Sequence, residues 1–167
     1  ASLDILRHLG CRAERQGDAV VVDASAPTGW DVPDALMREM RSSVIFLGAI
    51  LGRMGRAELC APGGCELGPR PIDLHLGAIR GLGGRITEDG GGLRAEGALR
   101  GADLVLSLPS VGATENAMLA AVCAAGTTTI TNAAREPEIV DLQGFLRAIG
   151  AKVHGAGSSV ITVEGGV

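Results

Sequence analysis

The chain has 167 residues, a formal net charge of −4 and 46% apolar residues, which predicts one aliphatic-cored domain, or two very small ones, stable without disulfides or metal. Its Lys and Arg residues are dispersed and no apolar run reaches the length of a membrane span, which argues against nucleic-acid and membrane partners. The four cysteines lack the spacing of a disulfide framework, so we expect reduced thiols in a cytoplasmic protein.

Three segments share one predicted order of elements, a helix followed by a β-hairpin with a Gly-rich turn. They begin near Ser2, Asp73 and Val140. Each helix is expected to stop at a glycine in the left-handed conformation. These glycines are Gly10, Gly83 and Gly150. Their spacing predicts a repeating unit of roughly 70 residues.

Apolar spacing supports these helices and predicts two more between them. In the first and third segments the helical stripes are Leu3, Leu6 and Leu9, and Leu142, Phe145, Leu146 and Ile149. A further helix face, formed by Met37, Met40, Val44, Leu47 and Leu51, should end near Gly55 and lead into strand 56–60. Helix 117–124 repeats this arrangement, ending at Gly126 before strand 127–131.

The sequence therefore predicts an α/β fold of helix, hairpin, helix and strand units, with two full units and a leading one that is incomplete. Because the first unit has no helix and strand before Ala1, we expect a truncated N-terminus. A stacked solenoid is the alternative, but the unit is long, mixed and repeated few times. We expect the units to surround a pseudo-threefold axis, with helices inside and sheets outside.

The segment 59–75 has the least regular composition of the chain. Cys65 lies in Pro62-Gly63-Gly64-Cys65-Glu66-Leu67-Gly68-Pro69-Arg70-Pro71, where the glycines and prolines predict a loop. A thiol near an arginine can have a lowered pKa and act as an acid or a nucleophile. The alternative is a spare cysteine in a turn.

Three other places could bind an anion. The sequence Arg70-Pro71-Ile72-Asp73 predicts a helix start next to an arginine, and Arg41 offers a second guanidinium at a predicted helix break or start. Ser110 to Asn116 open another helix, where they could cradle a phosphate or uracil group. Solvated arginines and ordinary helix caps at Ser110 and Thr114 are the alternatives. The Cys and His spacings predict no metal site, and we expect no cofactor.

Four segments carry more specific motifs: PGGC at 62–65, GPRPIDLH at 68–75, PSVGAT at 109–114 and NAAREPEIVD at 132–141. Together they resemble the UDP-N-acetylglucosamine 1-carboxyvinyltransferase family of enolpyruvyl transferases, over essentially the whole chain. The resemblance implies an EPSP synthase-like fold of two lobes, each an inside-out α/β barrel of three units, with residues 1–167 forming one partial lobe. It implies transfer of the enolpyruvyl group of phosphoenolpyruvate to the 3-hydroxyl of UDP-N-acetylglucosamine, the first committed step of peptidoglycan synthesis.

The resemblance also assigns roles to residues. Cys65 would be the catalytic general acid, the residue that forms a covalent adduct with phosphoenolpyruvate and that fosfomycin alkylates. Arg41 and Arg70 match the arginines on the phosphoenolpyruvate side. The segments that match the uridine diphosphate site are Arg70, Pro71, Ile72, Asp73 and Leu74, and Ser110, Val111 and Gly112.

The chain departs from the family pattern in three ways. An early Lys-Asn pair and the second lobe have no counterpart, and Leu108 stands where some members have a lysine. We therefore expect the 167-residue chain alone to be inactive, because catalysis needs a complete, closed cleft. Apolar surface left by the incomplete unit could support a dimer. A shikimate-type enolpyruvyl transferase and a non-catalytic nucleotide-sugar-binding module remain the alternatives.

Overall fold

The computed structural model describes residues 1–40, 42–60 and 72–166. The first unit contains helix α1 (Ser2–His8) and strands β1 (Arg12–Gln16) and β2 (Ala19–Asp23). The second unit contains β3 (Asp31–Val32), α2 (Asp34–Glu39), a short 3-10 helix (Ser43–Ile45), α3 (Phe46–Met54), β4 (Arg56–Cys60), α4 (Asp73–Gly81), β5 (Arg85–Asp89) and β6 (Gly92–Glu96). The third unit contains β7 (Asp103–Val105), α5 (Val111–Cys123), β8 (Thr127–Thr131), α6 (Pro137–Ala148), β9 (Lys152–His154) and β10 (Val160–Glu164).

The second and third units form four-stranded sheets with the same topology. Their strand orders are β3-β4-β6-β5 and β7-β8-β10-β9. In each sheet the first pair is parallel and the other two pairs are antiparallel. The first unit contributes the two-stranded antiparallel sheet β1-β2. The predicted repeat, with an incomplete first unit, is therefore confirmed. The short strands β3 and β7 were not predicted.

Glycines end helices α1, α4 and α6, the helix before each hairpin, as the sequence predicted. Gly10, Gly83 and Gly150 have φ angles of 89°, 89° and 103°, in the region that favours glycine because a Cβ atom would be strained there. The chain then turns directly into each hairpin. This common ending sets the position of every hairpin relative to its helix.

Successive units are joined by the same type of hydrogen bond. The backbone N–H groups of Thr28 and Gly29 donate to the carbonyl of Leu9, and the N–H of Arg100 donates to the carbonyl of Leu82. Leu9 and Leu82 are the residues immediately before the helix-ending glycines. The start of the second unit is therefore held against the end of α1, and the start of the third unit against the end of α4.

The predicted continuous helix around Met37 to Leu51 is wrong. Met40 has an extended backbone (φ −138°, ψ 119°) that separates α2 from the 3-10 helix leading into α3. The apolar spacing continues across the interruption because Met37, Val44 and Leu47 all face the core. In the third unit the corresponding helix α5 is regular and begins at Val111, directly after Ser110, where the sequence predicted a helix start. The predicted helical segment 117–124 is the C-terminal part of this longer helix.

Helices α3 and α5 lie against each other at the centre of the protein. Gly48 packs directly against the backbone and side chain of Asn116, and a Cβ at Gly52 would lie 2.9 Å from the Cβ of Cys123. Small residues therefore allow the two helix axes to approach closely. The strands surround this pair, and β8 and β10 alternate buried and exposed residues. Helices inside and sheets outside are as predicted.

The predicted apolar stripe of α6 is also wrong in part. Ile139 and Leu146 are buried, whereas Phe145 and Ile149 are 59% and 61% exposed. One narrow stripe of α6, formed by Ile139, Leu146 and the partly buried Leu142, packs against the core. In α1 Ile5 is buried and Leu3 and Leu6 are partly buried, and Leu9, directly after the helix, is buried as well.

Apolar surface is exposed in the first unit as well. Val20, Val21 and Val22 of β2 are 43–49% exposed. Dimerisation through such a surface stays a prediction. In the described part of the chain, no helix combines the length and the apolar character needed to cross a membrane.

Candidate active site

Four of the predicted site residues lie outside the described residues: Cys65, Arg41, Arg70 and Pro71. The other six are described: Ile72, Asp73, Leu74, Ser110, Val111 and Gly112. These six occupy the N-terminal ends of α4 and α5. The described part of the predicted site therefore consists of two helix starts.

Helix α4 begins at the predicted position. Ile72 is its N-cap residue and makes no side-chain capping hydrogen bond, and Asp73 lies in the first turn. Asp73 is exposed and Leu74 is partly buried against the core. An acidic side chain in the first turn is stabilised by the positive end of the helix dipole. The carboxylate is also available to a ligand from solvent.

Helix α5 begins with a side-chain cap at Ser110, which the sequence had suggested as an alternative to a ligand-binding role. Ser110 Oγ accepts a hydrogen bond from the backbone N–H of Ala113 at 3.3 Å. The Thr114 hydroxyl donates to the carbonyl of Ser110 at 2.7 Å and accepts from the N–H of Ala134 at 3.1 Å. Ser110 is thus an N-cap, while Thr114 braces the loop that follows β8. The N–H groups of Val111 and Gly112 have no partner within an α-helix and can serve an anion.

The two helix starts are adjacent because His75 packs against Gly112. A Cβ atom at position 112 would lie 2.9 Å from Cε1 and 3.2 Å from Nε2 of the imidazole ring. Any side chain there would push α5 away from α4. Glycine at position 112 is therefore required for the close approach of the two predicted substrate-binding segments.

A buried polar cluster lies directly beneath this contact. The fully buried Asn116 accepts a hydrogen bond at Oδ1 from the N–H of Gly48 at 2.6 Å. Its Nδ2 donates to the carbonyl of Val44 at 3.0 Å and to Nδ1 of His75 at 3.1 Å. Burial lowers the pKa of His75 below its usual 6.5, so the ring is neutral at pH 7. Sequence reasoning considered His75 only as a metal ligand and missed its partner, because no local pattern marks an Asn that bridges helices distant in sequence.

Burial also shifts the pKa of two thiols outside this site and of one carboxyl group near it. Burial raises the pKa of the Cys11 and Cys123 thiols, which keeps them protonated and poorly reactive. Burial, together with Glu138, raises the pKa of Glu115 in the first turns of α5. Among the described residues, no group of three His, Cys, Asp or Glu side chains could hold a metal ion.

A cavity of about 310 Å³ lies elsewhere, between α1 and α3. Its lining is apolar apart from Arg53, and includes Leu6, Leu9, Phe46 and Ile50. Because ligand sites combine an apolar pocket with convergent polar groups, this cavity lacks the character of an active site. The two helix starts remain the better candidate.

Comparison with known proteins assigns the chain to a family. The family model "EPSP synthase (3-phosphoshikimate 1-carboxyvinyltransferase)" matches residues 1–167. The chain belongs to the EPSP synthase family. Its fold agrees, since the enolpyruvyl transferase NikO from Streptomyces tendae superposes with a TM-score of 0.82 at 25% identity, over 98% of this chain and 39% of that one.

Relatives in sequence carry a narrower name. The chain is 50% identical to UDP-N-acetylglucosamine 1-carboxyvinyltransferase 2 of Caldanaerobacter subterraneus, over 98% of this chain and 39% of that protein. It is 49% identical to the corresponding enzyme 1 of Symbiobacterium thermophilum, over 98% of this chain and 38% of that one. An EPSP synthase of Acinetobacter baumannii shares the fold, with a TM-score of 0.72 at 23% identity over 99% of this chain and 38% of that one. The chain thus spans less than two-fifths of the length of these relatives.

Proposed function

We propose that this chain forms one lobe of an enzyme that transfers the enolpyruvyl group of phosphoenolpyruvate to the 3-hydroxyl of UDP-N-acetylglucosamine and releases phosphate. The observation that carries the proposal is the adjacency of the α4 and α5 starts at Gly112 and His75. The resemblance implies that the uridine diphosphate portion binds at these two segments. Identities of about one half to proteins named for this reaction support the choice of acceptor.

The helix starts suit a diphosphate on physical grounds. Unpaired N–H groups and the positive ends of two helix dipoles favour an anion. The exposed Asp73 carboxylate offers an acceptor for a sugar or uracil donor. In this arrangement Ile72, Asp73 and Leu74 bind one side of the nucleotide sugar, and Ser110, Val111 and Gly112 bind the other. The resemblance assigns Pro71 and Arg70 to the same portion of the ligand.

We further propose that Cys65 is the general acid of this reaction. As the sugar 3-hydroxyl adds to C2 of phosphoenolpyruvate, it gives its proton to a base supplied by the rest of the enzyme, and the Cys65 thiol gives its proton to the methylene carbon, which becomes the methyl group of a tetrahedral intermediate. The Cys65 thiolate then takes a proton back from that methyl group as the bond between C2 and the phosphate oxygen breaks, which forms the enol ether, and the phosphate leaves with the proton that the hydroxyl lost. Arg41 and Arg70 would neutralise the phosphate and carboxylate charges. We place the reaction in peptidoglycan synthesis in the cytoplasm, with Cys65 as the residue that fosfomycin alkylates.

A phosphate-release assay tests the proposal. The complete product of the gene that encodes this chain should release phosphate from phosphoenolpyruvate when UDP-N-acetylglucosamine is added. The 167-residue chain alone should not, because it spans only 39% of the length of a relative named for this reaction and catalysis needs a complete, closed cleft. Turnover by the isolated chain would contradict that expectation, and absence of turnover by the complete product would contradict the function.

The same assay separates the proposal from its nearest alternative. The family description and the Acinetobacter baumannii structure both concern EPSP synthase. Shikimate 3-phosphate should give no phosphate release in place of UDP-N-acetylglucosamine. If it alone supported turnover, the shikimate-type reaction would replace our proposal. Tight nucleotide-sugar binding without turnover of either acceptor would instead favour a binding module.

A further inference from the structure

The side chain of Asn116 connects three parts of the chain that are far apart in sequence: residues 44–48, His75 and its own helix α5. It lies on α5 and binds Val44 of the 3-10 helix, Gly48 of α3 and His75 of α4. These partners are 72, 68 and 41 residues away along the chain. The amide is fully buried, so its bonds are not exchanged for water. Any change at this amide therefore acts on all three parts.

Two of these hydrogen bonds fix the orientation of the amide group. The carbonyl of Val44 can only accept and the N–H of Gly48 can only donate, so Nδ2 and Oδ1 of Asn116 are assigned without ambiguity. Nδ2 therefore faces His75 and donates to Nδ1 of the ring. The neutral imidazole must carry its proton on Nε2. The hydrogen-bond network thus selects one tautomer and one ring orientation.

The adjoining edge of the same ring, formed by Cε1 and Nε2, defines the position of α5. Cε1 and Nε2 of His75 face the Cα of Gly112, where a Cβ would lie 2.9 and 3.2 Å from them. His75 itself is only two residues beyond Asp73. The imidazole is thus the spacer between the Asp73 start of α4 and the Ser110-to-Gly112 start of α5. A shift of the ring would change the distance between these two segments.

We propose that His75, held by Asn116, is a positioning residue for the nucleotide sugar. The inference rests on the proposed function, because it assumes that the nucleotide sugar binds across the two helix starts. His75 sets their separation through the backbone of Gly112. Without an acceptor at the position of Nδ1, Asn116 no longer fixes the side chain at position 75, and the separation of the two helix starts is no longer set. We therefore expect weaker binding of UDP-N-acetylglucosamine and an unchanged chemical step.

Two substitutions of His75 separate positioning from packing. In His75→Asn the side-chain carbonyl lies where Nδ1 was and still accepts from Asn116. His75→Leu keeps apolar bulk but leaves the buried Nδ2 proton without a partner. Steady-state kinetics of the complete gene product should show the KM for UDP-N-acetylglucosamine raised about tenfold in His75→Leu, a difference of about 1.4 kcal/mol. The kcat should stay within about twofold of the wild type. The KM of His75→Asn, which keeps the acceptor for Asn116 but lacks the ring edge that contacts Gly112, should lie between those of His75→Leu and the wild type.

A purely structural role predicts a different result. It would lower the melting temperature of both variants and reduce the active fraction, with no change in the KM of the molecules that fold. An unchanged KM in His75→Leu, or an equal rise in both variants, would overturn the proposal. If the wild-type protein itself failed to bind UDP-N-acetylglucosamine, the proposed function would be contradicted and this inference with it.

A measurement on the wild-type protein covers the case in which His75→Leu does not fold. Nitrogen NMR of the complete gene product, with histidines labelled, reports the tautomer of each neutral ring. We expect His75 in the Nε2–H form, with its Nε2 and Hε1 resonances shifting as UDP-N-acetylglucosamine is added. The Nδ1–H form, or resonances unmoved at saturating ligand, would overturn the proposal.

Discussion

The second and third units share one scaffold but use the same connection differently. In the third unit, residues 132–136 join β8 to α6, and hydrogen bonds hold this connection in place. Asn132 donates to the carbonyl of Leu106 at 2.8 Å, and the N–H of Ala134 donates to the hydroxyl of Thr114 at 3.1 Å. In the second unit the corresponding connection, residues 61–72 between β4 and α4, is longer and contains Cys65.

The difference shows how a repeated scaffold can divide its tasks. The third unit uses a short connection to support its own helix starts, including the one at Ser110. The second unit carries the proposed acid and one arginine in the longer insertion. The proposed site then forms where the α4 start of one unit meets the α5 start of the next. Each prediction below changes one side of this comparison.

Replacing the thiol of the longer connection should have the largest effect. In Cys65→Ser, loss of the general acid should reduce phosphate release about 100-fold or more, while calorimetry should find UDP-N-acetylglucosamine binding unchanged. Cys123→Ala, at a half-buried thiol outside the site, is the matched control and should keep near-normal turnover. Equal turnover in Cys65→Ser and wild type would contradict the role of Cys65 as the general acid and the functional difference between the two connections.

Adding a methyl group at the contact between α4 and α5 should have the next largest effect. In Gly112→Ala the new methyl group would collide with His75, so we expect a roughly tenfold loss of UDP-N-acetylglucosamine affinity from a displacement costing about 1–3 kcal/mol. Gly77→Ala on α4 is the control, because a Cβ there meets nothing within 4 Å. That change should stabilise the helix by about 0.5–1 kcal/mol and leave affinity unaltered. Similar affinities for the two variants would contradict the proposed position of the site.

The pH dependence of the free energy of unfolding should depend on His75 in the second unit. Leu142 occupies the equivalent position in the third unit, since each residue lies eight positions before its helix-ending glycine. Because burial lowers the folded-state pKa of His75, the unfolded chain takes up the proton first as the pH falls. Stability is complete above about pH 6.5 and declines below it, by about 1.4 kcal/mol per pH unit while the two states differ by one proton. Urea unfolding at pH 7.5 and 5.5 should show a smaller decline in His75→Asn than in wild type. Glu115, with a raised pKa, contributes the opposite trend in both proteins and cancels in the comparison. An identical decline in both would assign the effect to other groups.

Adding a cation beside the third unit's helix start should have the smallest effect. Leu108 is 65% exposed just before Ser110, where some family members have a lysine. Leu108→Lys should raise UDP-N-acetylglucosamine affinity a few-fold at low salt, by about 0.5–1 kcal/mol for an exposed charge, and the gain should fade as salt is added. Leu108→Gln is the uncharged control. A gain of equal size in the Gln variant would show that charge is not its cause.

Sequence reasoning identified the repeat because its signals are local. Alternating apolar residues, hairpin turns and helix-ending glycines such as Gly83 lie within a few positions of one another. Strands β3 and β7 escaped prediction because two or three residues are too few to show alternation. Their pairing is with strands more than twenty residues away, which no local pattern reveals.

The errors concern features that tertiary packing decides. The spacing of apolar residues from Met37 to Leu51 did not reveal the extended backbone at Met40. The helices on either side of Met40 face the same core, so the apolar spacing continues across the interruption. For Phe145, apolar character alone did not show that its side of α6 faces solvent. The helix starts at Asp73 and Ser110 were predicted, but their contact depends on His75 and Asn116. A hydrogen bond between residues 41 positions apart can only be read from the folded protein.

Fosfomycin labelling tests the central claim most directly. The complete gene product would be treated with fosfomycin, with and without UDP-N-acetylglucosamine, and digested for mass spectrometry. The account predicts one adduct, on Cys65, formed faster when the nucleotide sugar fills the neighbouring helix starts. Adducts on Cys11, Cys60 or Cys123 instead, or no adduct on Cys65 in the presence of the nucleotide sugar, would contradict it.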